Sequence, residues 1–347
     1  MAIYTLPEGV DGYTLEQLYP QFHVPSVLSN VDVGTLYVVN DWHYPMLADH
    51  DRAEFYRAML VDHIHPGKTV VLDLGAGSGL LSIMAARLGA ARVYAVESNP
   101  HLARIAREAV RANGVAGTVK VINKLSTLVS LEDLDNQRPD VLVAELWGTL
   151  LLSEHADLYT QDARNRLLAP AARVLPSVGT QYIQLFESQE LASLTSSSEL
   201  DGIDLRAMNA LRNTVQMRFS KEFGFRFSSL EHRVLSDPVA VSDVDLEGSP
   251  IVSSHTMVST RILQDGYIHA IVASWDVWPN ASKQSVLSTH PNQTSRTRDL
   301  QWGQAIQICE TPMPVRAGDV VHLRVAFSGA LFSATVLPTH EYDDDDI

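Results

Sequence analysis

The hydrophobic pattern of the chain changes character once, near residue 176. Before that point, compact apolar runs alternate with stretches of helical period. Asp49 to Val61 carries apolar residues at helical spacing behind an Asp cap, and Gly67-Lys68 then punctuates. Thr69 to Leu74 is β-branched and apolar except for Asp73, the pattern of a strand buried on both faces in a parallel sheet. Leu80 to Leu88 predicts a helix closed by Gly89. Arg92 to Val96 predicts a second strand, and Pro100 to Ala112 a helix stopped by Asn113-Gly114. Val119 to Ile122 and Asp140 to Ala144 read as the third and fourth strands. Such alternation predicts an α/β doubly wound, Rossmann-like domain over residues 1–176.

Beyond Leu175-Pro176 the runs become short and alternating, broken by Ser, Pro, Asp and Gly. Gln181 to Phe186, Ile268 to Trp275 and Val320 to Phe327 are examples. They predict an antiparallel β domain over 177–347, sandwich or barrel, interrupted by a partly helical insertion at about 191–219. No internal repeat of fixed period is present.

Composition narrows the class. The chain has 347 residues, 46% hydrophobic and 19% charged, which suits one large or two moderate globular domains. Its net charge is −15, and five of the acidic side chains fall in the tail 341–347. An acidic body argues against direct nucleic-acid binding, which needs a basic face, and leaves a cationic partner open. A single cysteine, Cys309, rules out an intramolecular disulfide and a Cys-rich zinc pattern. With no basic-then-apolar N-terminus, a cytoplasmic protein is expected, with the nucleus open. Val70 to Ala90 is apolar, but Asp73, Arg87 and four glycines argue against a membrane span.

The richest chemistry lies in Asp73-Leu74-Gly75-Ala76-Gly77-Ser78-Gly79, where a predicted strand runs through a glycine turn into a helix. Glycine permits positive φ and close approach of the backbone to a ligand. Glu97-Ser98 ends the next strand, 22 positions after Gly75, where a carboxylate can accept both hydroxyls of a ribose. A dinucleotide fold spaces its glycines as G-x-G-x-x-G. The spacing here, Gly75-x-Gly77-x-Gly79 behind Asp73, suits S-adenosylmethionine, which has no pyrophosphate to cradle. A tight turn without a ligand is the plain alternative.

Glu145 and Glu154 leave the fourth strand in an otherwise apolar loop. Two ionised carboxylates there would be costly without a cation, and a guanidinium, planar and always charged, is the natural one. The plain alternative is a helix cap by Glu154 and a solvated Glu145. The Asn/Asp-Pro-Pro-Tyr loop of methyltransferases that act on DNA bases is absent from this position.

Across residues 37–335 the chain resembles the protein arginine methyltransferases. The likeness rests on the glycine turn with Glu97 and, more specifically, on two glutamates nine positions apart after the fourth strand. It implies a class I S-adenosylmethionine-dependent methyltransferase (Rossmann-like) domain followed by an antiparallel β-barrel with a helical dimerisation arm, placed at 191–219. Tyr37, His43, Met46 and Arg52 fall in the register of the family segment that folds over the cofactor. By that resemblance Arg52 pairs with the cofactor carboxylate and Met46 lines the methyl-transfer site. Lys124, Leu125 and Ser126 match the adenine side. Where most members carry Thr-His-Trp, this chain has Leu300-Gln301-Trp302, and Ser274-Trp275-Asp276 is also similar to the type III, monomethylating branch. The resemblance therefore implies S-adenosylmethionine as methyl donor and arginine-rich proteins such as histone tails or RNA-binding proteins as substrates. It also implies ω-monomethylarginine as the product, and a homodimer, since only one module is present. A small-molecule methyltransferase and a non-catalytic cofactor-binding scaffold are the competing readings.

Overall fold

The structure is a computed structural model that describes residues 13–18, 20–21, 23–24, 43–211, 217–219, 227–248, 254–291, 302–328 and 331–337. The chain divides into two compact units, Met1–Asp140 and Val141–Ile347.

The first unit begins with two short helices, α1 (Leu15–Leu18) and α2 (His43–Leu47). Helix α3 (His50–His63) follows, N-capped by the Asp49 carboxylate, which accepts the Arg52 N–H at 3.1 Å. Arg52, Phe55, Tyr56, Met59 and Leu60 form its buried face, the i, i+3, i+4 stripe of an amphipathic helix. Strands β1 (Val70–Leu74), β2 (Arg92–Val96) and β3 (Val119–Ile122) are parallel, in the order β3-β2-β1. Val70 faces Arg92 and Val93 faces Val119 in the ladders. Helix α4 (Leu80–Arg87) connects β1 to β2, and α5 (Pro100–Ala112) connects β2 to β3. Asn99 caps α5 by accepting from the His101 and Leu102 N–H groups, and Pro100 supplies the preset φ of a first helical residue. The unit ends beside the start of β1, where Asp140 donates its N–H to the Val70 carbonyl and accepts the Val70 N–H on its carboxylate.

The second unit opens with the parallel pair β4 (Val141–Ala144) and β5 (Arg173–Leu175), joined through helix α6 (Ala156–Arg166). The rest of the unit is mainly antiparallel. Its larger sheet centres on β6 (Val178–Glu187), β13 (Gly266–Trp278) and β15 (Ala305–Val315), with β10 (Arg233–Val234) and β9 (Arg218–Phe219) at the edges. Strand β11 (Val239–Asp245) also pairs with β6, and β14 (Leu287–Ser288) with β13. A smaller sheet holds β12 (Ser254–Arg261), β16 (Val320–Ser328) and β17 (Leu331–Val336). Ile183, Leu185, Ile271 and Ala273 of the larger sheet share one core with Leu323, Val325 and Ala334 of the smaller, the arrangement of a barrel. The opposite face of β13, Ala270 and Val272, packs with Phe186, Leu191 and Phe227.

Leu191 belongs to helix α7 (Gln189–Leu194), capped by the Ser188 hydroxyl, at the root of the predicted arm. The arm continues as a two-stranded ribbon, β7 (Glu199–Leu200) against β8 (Ile203–Asp204), and a 3₁₀ turn at Arg206–Leu211. Asp201 and Gly202 turn the ribbon with φ of 50° and 81°, the positive pair that a tight two-residue hairpin demands. The acidic tail, 341–347, lies outside the described residues.

Candidate active site

In the first unit the turn after β1 is shaped for a ligand. Gly75, Gly77 and Gly79 take φ of 71°, 52° and 86°, a conformation that side chains with a Cβ rarely adopt. A Cβ on Gly79 would meet the Ala106 Cβ of α5 at 3.5 Å, an ordinary contact, so what demands glycine there is the positive φ and not space. Ala76 is buried and Gly75 exposed at the mouth of the turn. Glu97 stands at the end of β2 and is buried. One of its oxygens accepts the Gly77 N–H at 2.9 Å and the other the Asn99 N–H at 2.7 Å. Each oxygen keeps a second lone pair, so the carboxylate can still receive hydroxyl donors. Asn123 supports it from below, donating to the Glu97 and Ser98 carbonyls at 2.9 Å.

Asp73 is 1% exposed on β1. Its Oδ2 accepts the Ser82 hydroxyl at 2.6 Å, whereas its Oδ1 is buried without a hydrogen-bond partner. Burial pushes this carboxyl up to about 7, against the opposing pull of Ser82, and the Glu97 charge adds to the rise. An orphaned buried oxygen, a glycine turn and an exposed approach to Glu97 fit a cationic nucleoside such as S-adenosylmethionine.

The remaining expected cofactor residues fall in the same unit. His43 and Met46 lie on α2 and Arg52 on the buried face of α3. Lys124 and Leu125 are exposed beyond β3, and Ser126 opens a 3₁₀ turn, Ser126–Leu128. The Lys124 ammonium is engaged with Asp133, at 2.6 and 2.8 Å from its two oxygens. Tyr37 lies outside the described residues.

In the second unit Glu145 and Glu154 bracket a loop between β4 and α6. Neutral groups tie this loop to the barrel at several points. Trp275 Nε1 donates to the Gly148 carbonyl at 2.9 Å, and Trp302 Nε1 donates to the Trp147 carbonyl. Thr149 donates its hydroxyl to the Trp302 carbonyl at 2.8 Å, and the Leu151 N–H donates to Gln181 Oε1 at 2.9 Å. Trp275 meets Trp302 edge-on at 5.0 Å between centroids, and Trp147 at 6.4 Å. A Cβ on Gly148 would fall 1.7 Å from Ser153 Oγ, so a larger residue there would displace the Ser153 hydroxyl. Trp302 thus touches the glutamate loop directly. Gln301, its neighbour, lies outside the described residues.

Trp147, Gly148, Thr149, Gln181 and Trp275 were not among the expected site residues. Two of them carried a signal: Trp147 lies inside the glutamate loop and Trp275 in the longest apolar strand. Gln181 carried none.

A methyltransferase-type α/β unit followed by an antiparallel barrel is the class this architecture defines. Comparison with known proteins supports it. A family model described as Ribosomal protein L11 methyltransferase (PrmA) matches residues 57–165, and one described as Arginine methyltransferase oligomerization subdomain matches 178–331. The chain is 33% identical over 289 residues to an arginine N(omega)-methyltransferase of Streptomyces achromogenes subsp. streptozoticus, covering 83% of this chain and 76% of that one. It is 31% identical over 261 residues to protein arginine N-methyltransferase 7 of Oryza sativa subsp. japonica, covering 71% of this chain and 36% of that one. The chain therefore spans most of the bacterial relative and about a third of the plant one. A solved structure, the Trypanosoma brucei protein arginine methyltransferase 1 enzyme-prozyme heterotetrameric complex with AdoHcy, shares the fold. Its TM-score is 0.73 at 22% identity, covering 86% of this chain and 94% of that one. The chain belongs to the protein arginine methyltransferase family, whose members draw the methyl group from S-adenosylmethionine.

Proposed function

We propose that this protein methylates an ω-nitrogen of arginine, and that the product is monomethylarginine. The observation that carries the reading is the bracketed loop: two carboxylates on one short segment, fixed by the indole N–H groups of Trp275 and Trp302. The glycine turn, Asp73 and Glu97 hold S-adenosylmethionine, which supplies an electrophilic methyl group when bound. Glu145 and Glu154 accept the guanidinium N–H groups, orient the planar group and leave one ω-nitrogen free to react. Charge-assisted, bidentate bonds of this kind are the strong ones. Glu154 accepts the proton that the nitrogen sheds once it is methylated. Alignment supplies most of the rate, as a well-placed pair of reactants can save roughly 7–11 kcal/mol of barrier.

Two sequence features support the monomethyl product: Gln301 in place of the usual His, and Ser274-Trp275-Asp276. A homodimer is supported by the oligomerization-subdomain match and by the ribbon, whose Leu200 and Ile203 are exposed apolar residues. The acidic body favours a cationic substrate.

A second reading, free arginine as the substrate, is favoured by one observation. The Streptomyces relative is named an arginine methyltransferase without the word protein, and this chain covers most of its length. One experiment tests both readings. The wild type and Glu154→Gln are incubated with S-adenosylmethionine and either an arginine-rich peptide or free arginine, and the products are weighed by mass spectrometry. One methyl per arginine on the peptide, lost in the variant, supports the first reading. Methylation of free arginine alone supports the second. Two methyls on one arginine refute the monomethyl product, and an active variant refutes the role of Glu154.

A further inference from the structure

We propose that His290 is a positioning residue for arginine methylation, acting on the glutamate loop through Thr289 and Trp275. The inference rests on the arginine-methylation reading above. His290 follows β14 by two residues, and its ring stands over one face of the larger sheet. Ser274 Oγ lies 2.8 Å from its Nδ1, and Asp276 Oδ1 lies 3.6 Å from its Nε2. Asp276 Oδ1 is buried and outside any hydrogen bond, so the imidazole is the group that faces it. From β6 the Tyr182 ring closes the pocket, 5.0 Å from His290 between centroids. Beside it, Thr180 donates its hydroxyl to Asp243 at 2.5 Å. Ser274 is 1% exposed, so this Ser–His–Asp trio has no substrate to meet and works as a clamp, not as a nucleophile.

The clamp connects to the site through the next residue. Trp275 donates its N–H to Thr289 Oγ1 at 2.8 Å, and Thr289 returns its N–H to the Trp275 carbonyl at 2.9 Å. Gln304 Nε2 ties the Thr289 carbonyl, at 3.1 Å, to the start of β15 just past Trp302. Ser274 and Asp276 point to one face of β13, so Trp275 between them points to the other, where its indole holds Gly148 and packs on Trp302. Holding the two flanking residues fixes the backbone from which that indole projects. Gln181 adds a second link, donating to the Ser274 carbonyl at 2.7 Å while accepting from Leu151 of the glutamate loop.

His290→Ala and His290→Asn in the full-length chain test the inference. Asn keeps a polar group that can meet Ser274 Oγ. For His290→Ala we expect KM for the arginine substrate to rise about tenfold or more, with S-adenosylhomocysteine affinity within about twofold of wild type. Asn should recover most of the loss. Near-UV circular dichroism, which senses the packing of Trp147, Trp275 and Trp302, should change in Ala and not in Asn. An unchanged KM, or a parallel fall in S-adenosylhomocysteine affinity, overturns the inference. If the wild type forms no methylarginine, the functional reading fails by itself. The dichroism then decides whether His290 sets the tryptophan cluster, an unchanged Ala spectrum refuting it.

Discussion

Replacing Asp73 with Asn should make the ligand-free protein more stable at neutral pH than at acid pH, relative to wild type. The argument starts from burial. Asp73 is 1% exposed, one oxygen is satisfied by Ser82 and the other by nothing, and its carboxyl is pushed up to about 7 from an ordinary 3.8. In the unfolded chain the group has already lost its proton by pH 5. In the folded protein it keeps that proton until about pH 7. Folding therefore takes up a proton between these limits, and stability falls as pH rises through the window. At 1.36 kcal/mol per pH unit, the interval from pH 5 to 7 corresponds to roughly 3 kcal/mol, an upper figure because a fluctuating interior lets in some water. Asn keeps the shape and the acceptor for Ser82 but carries no proton to lose, so its share of the slope vanishes.

The assay is thermal unfolding of both proteins without cofactor, at several pH values from 5 to 8. For a unit of this size a gain of that magnitude is about 5–10 °C in Tm. The quantity to read is the difference between the two proteins, because other groups titrate equally in both. It should widen in favour of Asn as pH rises to 7 and then stay level. Parallel curves, with a constant gap across the range, would refute the claim that buried charge at Asp73 weakens the empty site. A cationic cofactor favours the ionised carboxyl, so added S-adenosylmethionine should narrow the gap.

Four further outcomes are expected. Glu154→Gln should retain S-adenosylhomocysteine affinity by calorimetry and lose at least about a hundredfold in turnover, since only the guanidinium loses a partner. Gly79→Ala forces a side chain into φ of 86°, at about 1–2 kcal/mol, and equilibrium dialysis should show at least about a tenfold loss in cofactor affinity. Trp302→Phe removes the indole N–H that the Trp147 carbonyl accepts, at a cost of about 1–3 kcal/mol. It should raise KM for arginine in steady-state kinetics while S-adenosylhomocysteine binding holds. Leu200→Asp with Ile203→Asp should halve the mass seen by light scattering, with the far-UV spectrum unchanged.

Most of the first unit was legible because its signals are local. Continuous β-branched runs, an Asp and an Asn cap, Pro100 and Asn113-Gly114 all act within a few residues, and the elements they announce start and stop within two residues of where the structure has them. The glycine turn and Glu97 were legible for the same reason. The arm was less so: Asp201-Gly202 is itself a hairpin signal, set inside a stretch read as partly helical. What the sequence concealed is long-range. Gly148 meets Trp275 across 127 positions, and Trp147 meets Trp302 across 155, pairings fixed by barrel register rather than by any local preference. Lys124 shows the same limit, since its ion pair with Asp133 depends on the course of the intervening chain.

The way the glutamate loop is held bears on what it can bind. A cationic anchor, an Arg or a Lys, would fasten the segment equally well but would spend part of the negative potential that a guanidinium needs. Its anchors include two indoles and a glutamine amide, which bond main-chain atoms of the loop, and the loop's own Thr149 hydroxyl, which bonds the Trp302 carbonyl. Rigidity and charge are thus supplied by different groups. Tryptophan suits this division, because its N–H donates without a proton to titrate and its ring excludes water from the loop. Substitutions at the indoles should therefore loosen geometry and leave charge intact, whereas substitutions at Glu145 or Glu154 should remove charge from a loop that keeps its shape. The two kinds of variant separate, in this one loop, how much of the rate comes from placement and how much from electrostatics.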